Sequence, residues 1–77
     1  MLRLENIRII GDRAEADFYP EGEKQVGHIV VDVARREIVE IKHVPEYEFM
    51  YPAHARSQLL RMAEEGDTRK SCVVKWF

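Results

Sequence analysis

At 77 residues the chain is too short for two ordinary domains, and its 45% hydrophobic and 34% charged content excludes a disordered chain, which would hold fewer apolar residues at a larger net charge. The 12 basic residues against 14 acidic ones leave a formal net charge of -2, without the basic excess expected of a nucleic-acid binder. One cysteine, Cys72, excludes an internal disulfide framework.

A single domain over residues 1–77 is expected, with a thin core, because so short a chain buries only about 60% of its unfolded surface. Leu4 to Ile10 is rich in β-branched residues and Gly11-Asp12 follows as a turn. Arg13 to Tyr19 then alternates, with Ala14, Ala16 and Phe18 on one side and Arg13, Glu15 and Asp17 on the other. The two runs read as a hairpin. Pro20 to Lys24 is a loop, since proline pre-sets a turn and Gly22 accepts a positive φ. Gln25 to Val33 is the strongest strand: Gly27, Ile29, Val31 and Val33 share one face, and His28, Val30 and Asp32 the other. After the short connection Ala34 to Glu37, Ile38 to Val44 reads as a fourth strand, with Val39 and Ile41 opposite Glu40 and Lys42.

Pro45 ends that strand because it cannot donate to a ladder. Glu46 to Tyr51 is an aromatic-rich connection. Pro52 suits the first turn of a helix, which the pattern carries to Glu65 with Gly66 as its stop. Ala55, Leu59, Met62 and Ala63 form one apolar stripe, while Gln58, Arg61, Glu64 and Glu65 fall on the wet side. Ser71 to Phe77 closes the chain as a fifth strand, with Cys72, Val74 and Trp76 alternating with Val73, Lys75 and Phe77. The fold class is therefore α+β: an antiparallel sheet of about five strands with one helix packed on one face, in the order β-β-β-β-α-β. The last strand belongs beside the first or inserted centrally.

No residue pattern marks a catalytic or cofactor site. His28, His43 and His54 are too far apart in sequence for a zinc motif, and His28 and Asp32 stand roughly 13 Å apart along one strand. His54 falls in the first helical turn with Ser57 three residues on, the germ of a nucleophilic pair, but without an orienting acid at a recognisable spacing. A histidine packing beside Tyr51 is the simpler reading. Cys72 shares a face with Val74 and Trp76, which suits an inert buried thiol. Glu46 and Glu48 read as solvated loop charge, and Arg35-Arg36 and Arg69-Lys70 as turn charge.

Three stretches carry a resemblance: Asp17-Phe18-Tyr19-Pro20-Glu21-Gly22, Gly27 to Asp32 with Glu37-Ile38-Val39-Glu40, and Tyr51-Pro52-Ala53-His54-Ala55. They resemble short proteins of anaerobic Gram-positive bacteria that carry no assigned activity. The resemblance implies the fold and a bacterial cytoplasmic setting, and brings no functional residues with it.

The function expected from the residues is that of a small non-catalytic interaction module, a homo-oligomer such as a dimer or a protein that binds a partner protein. One helix covers one sheet face, so Val30, Ile38, Val73 and Phe77 are expected on the open face, and Tyr47, Phe49 and Tyr51 mark a second candidate surface. The alternative from another class is a small enzyme using His54 at a dimer-interface pocket. Nucleic-acid binding is disfavoured by the charge. No run approaches the ~20 apolar residues of a membrane span, and charges at Arg3 and Glu5 interrupt any leader-like run, so a cytoplasmic location is expected, with no cofactor.

Overall fold

Leu2 and Leu4, then Ile7 and Ile9, supply the apolar side chains of the first segment, and the spacing slips by one residue between the pairs. Strict alternation would turn the second pair to the opposite face. In the computed structural model, which describes residues 1–75, a bulge restores the phase. Strand β1 (Leu2–Ile10) pairs antiparallel with β2 (Arg13–Pro20), where Glu5 faces Asp17 but Arg8 faces Glu15. Asn6 takes a φ of 53°, the left-handed region that asparagine tolerates better than most residues. Leu2, Leu4 and Ile7 are thereby all buried, with Ile9 packed at the margin of the core.

Strand β3 (Gly27–Asp32) adds to β2, and β4 (Glu37–Lys42) adds to β3. Helix α1 (Met50–Glu65) follows, then the short strand β5 (Cys72–Val74). The sheet order is β4-β3-β2-β1-β5, and every pairing is antiparallel. The last strand thus takes the edge beside the first. The chain leading into it is tied to the β1 bulge, where the Ile7 N–H donates to the Lys70 carbonyl at 2.9 Å.

A second slip corrects the expected faces of β4. Val30 pairs with Glu40, but Val31 pairs with Ile38, so two steps on β4 match one on β3 and Val39 is the extra residue. Ile38, expected on the open face, therefore packs against the core on the helix side together with Ile41. Val39, expected to share that side with Ile41, is exposed instead. Trp76 and Phe77, expected on opposite faces of the last strand, lie outside the described residues.

The helix begins two residues before Pro52 and buries Pro52, Ala55, Gln58, Leu59, Leu60 and Met62. It ends at Gly66, whose φ of 67° needs no Cβ-bearing strain, and the Asp67 N–H closes back on the Met62 carbonyl at 2.9 Å. Gln58 departs from the expected wet side. The returning strand β5 brings Cys72 alongside, and the Gln58 amide donates to its Sγ at 3.7 Å.

The tightest contact of the core is between Phe18 and Gly27, which are cross-strand partners. Phe18 is fully buried, and its ring lies where a Gly27 side chain would be, so that an ideal Cβ there would overlap Cζ. Gly27→Ala should cost about 1–3 kcal/mol, the usual range for overpacking a filled core. Phe18→Leu combined with Gly27→Ala should cost less than the two changes summed, because the smaller side chain vacates the space. Urea unfolding measures this, and an unchanged midpoint for Gly27→Ala would refute the contact.

Candidate functional site

The sheet face away from the helix is charged. Alternation places Arg3, Glu5 and Arg8 of β1, Glu15, Asp17 and Tyr19 of β2, His28 of β3, and Glu40 and Lys42 of β4 on it. Arg3 stacks its guanidinium over the Tyr19 ring at 4.5 Å and pairs with Glu5 at 3.6 Å. Arg8 meets Glu15 at 3.5 Å. Val30 sits in the middle of this face and is only 2% exposed, flanked across the ladder by Glu15 and Glu40. Long charged side chains cover apolar surface with their stems while their heads stay in water.

His28 is the hub. Its Nδ1 donates to Asp17 Oδ1 at 2.8 Å, and Nε2 faces Glu15 Oε2 at 3.4 Å. Asn6, the bulge residue, donates its amide to the other Asp17 oxygen at 2.9 Å. The hydrogen bond to Asp17 holds the His28 imidazole above its ordinary value of 6.5, against burial, with Glu15 adding to the effect. Burial on its own would raise the Asp17 carboxyl, but hydrogen bonds from Asn6 and His28 outweigh it and hold the group below 3.8. A carboxylate thus faces each ring nitrogen of His28. The arrangement ties three strands together across the β1 bulge.

The other sequence-derived candidates fall in separate places. Tyr47 and Tyr51 meet edge to face, with centroids 5.1 Å apart, and pack against the core. Phe49, between them in sequence, is 89% exposed. Val73 is exposed at the β5 edge. Phe77 lies outside the described residues. His54 and Ser57 do share a concavity between α1 and β5, of about 330 Å³, lined also by Gln58, Arg61, Val74 and Lys75. Among the described residues, no group of His, Cys, Asp and Glu is placed to hold a metal ion. Cys72 is half-buried, and burial pushes its thiol up, opposed by Arg69 and by the Gln58 hydrogen bond.

The Asp17–His28 pair is not visible along the chain, because its two members lie on different strands and meet only through their register. The signal was present in the loop: a turn over Pro20 to Lys24 folds the two strands back on each other and brings Asp17 opposite His28.

Comparison with family models, with curated proteins and with solved structures found no match.

The His28 pair makes stability depend on pH with a definite sign. The raised His28 value means its contribution is full below about pH 6.5 and is lost as pH rises through the higher folded value. The lowered Asp17 value means its contribution is full above about pH 4 and is lost as pH falls through the lower folded value. The stability difference between wild type and Asp17→Asn should therefore be largest near about pH 5.5 and shrink by about pH 9. NMR titration should place His28 above 6.5, and a value at or below it would contradict the pairing. Separately, a thiol reagent should label Cys72 at least about tenfold faster once denaturant is added. Equal rates would show that the thiol is not shielded.

Proposed function

We propose that this chain is a small non-catalytic interaction module of the bacterial cytoplasm that works as a homodimer. The observation that carries this reading is the exposed apolar set on β4 and the segment after it: Val39 is 45% exposed, Phe49 89% and Met50 54%. Exposed apolar residues scattered singly are ordinary, but the adjacent Phe49 and Met50, with Val39 on the edge strand, are of the kind that a partner covers. Met and aromatic residues are also those enriched at interfaces. The charged residues of the opposite sheet face support the same reading, because Arg3, Arg8, Glu15, Asp17 and His28 are already paired with one another or with near neighbours. Among the described residues, no helix is long and apolar enough to cross a membrane.

A second reading draws on the concavity that His54 and Ser57 share with Arg61 and Lys75: an enzyme acting at His54 on an anionic substrate. Light scattering over a tenfold range of micromolar concentration tests the first reading. The mass should exceed the 9.1 kDa of one chain and should be the same for His54→Ala. A mass of one chain throughout would overturn the homodimer.

A further inference from the structure

The sheet ends on β4, and among the described residues no strand pairs with its outer side. An unpaired edge offers a row of N–H and C=O groups to any extended segment. The pairing with β3 fixes which way each β4 side chain points. Glu37 and Lys42 lie opposite Asp32 and His28, on the charged face; Ile38 and Ile41 lie opposite Val31 and Ile29, on the helix side. Ile38 and Ile41 are only half-buried, so each keeps apolar surface for a neighbour.

This strand is complementary to itself. Let a second copy run antiparallel along the edge, related by a two-fold axis normal to the sheet. In one register Glu37 then faces Lys42 of the second copy on the charged side, and Ile38 faces Ile41 of the second copy on the helix side. Each contact occurs twice by symmetry. Opposite charges and paired apolar side chains are the cross-strand contacts that stabilise a ladder. Neighbouring registers fail. A shift of one residue sets Glu37 against Ile41 in one direction, and Glu40 against its own copy in the other. A shift of two sets Glu37 against Glu40, or leaves Ile41 against Glu40.

We propose that β4 pairs with β4 of a second copy in this single register, joining two sheets into one continuous sheet with both helices on the same side. The proposal rests on the interaction-module reading above and gives it a partner and a surface. The bulge fits the same geometry. It places Val39 opposite Glu40 of the second copy, symmetrically about the axis, while a bulged and charged edge discourages pairing with unrelated strands.

Sedimentation equilibrium on the full chain tests the register by charge exchange. Glu37 and Lys42 are both exposed, so their replacement should leave the monomer folded, as circular dichroism would verify. Glu37→Lys and Lys42→Glu should each weaken dimerisation by about tenfold or more, since each turns two attractive contacts into repulsive ones. The double variant should restore an affinity near that of wild type. A dimeric wild type whose affinity neither single change alters would overturn this edge and leave the interaction reading standing. A wild type that stays monomeric would overturn both. Amide exchange of wild type provides a measurement independent of any variant. On dilution from dimer to monomer, β4 amides turned away from β3 should lose protection, and unchanged protection would refute the pairing.

Discussion

A single helix can cover only one face of a five-stranded sheet, and this constraint governs where most apolar side chains must go. Period-two alternation meets it over β2, where Ala14, Ala16 and Phe18 all point inward. It fails over β1 and β4, whose apolar residues slip phase. Each strand resolves the slip by one extra residue, Asn6 in β1 and Val39 in β4. Without those bulges Ile7 and Ile9, or Ile38, would point to water. The inserted residues are suited to their positions: asparagine accepts the left-handed backbone at one, and an edge strand accommodates the distortion at the other.

The same constraint shapes the opposite face. With no second layer on it among the described residues, it carries mostly charged side chains, of which Arg8, Glu15, Asp17 and His28 pair across the strands. The His28 network is the densest part, and it is anchored at the bulge through Asn6. The residue that repairs the hydrophobic phase of β1 thus also orients the carboxylate that holds His28. Packing on one side of the sheet and ionisation on the other are coupled through a single backbone irregularity. The side chains concerned are part-exposed, so solvent screens the pairing, and its effect is felt in pH dependence more than in total stability.

Much of the architecture was legible because it rests on local signals. Alternation in β2 and β3, Pro52 near the helix start and Gly66 at its end each have a mechanical reason that works within a few residues. What was not legible rests on register. The faces of β4 were misread because a bulge looks, in sequence, like ordinary alternation that begins one residue later. Gln58 was read as wet because a helix pattern alone does not reveal that β5 returns beside it. The Asp17–His28 pair is likewise a product of how two strands align. Phe18 and Gly27 set that alignment, since a large ring needs a residue without a side chain across from it, and Asp17 then has to face His28.

These observations locate what remains unsatisfied. The helix side is filled around Phe18, Leu59 and Met62, which are covered, and stays open toward the β4 edge at Ile38 and Ile41. On the charged side, Arg8, Glu15 and Asp17 are paired around His28. Among the described residues the edge at β5 is three residues long, whereas β4 presents six. Main-chain groups at an edge cannot be satisfied by side-chain rearrangement in the way that surface charges can, so the longer edge is where a further strand gains most. The bulge at Val39 makes that edge irregular, and an irregular edge accepts few partners. A copy of the same strand carries the matching irregularity, which is the ground on which self-association is proposed over pairing with a generic extended peptide.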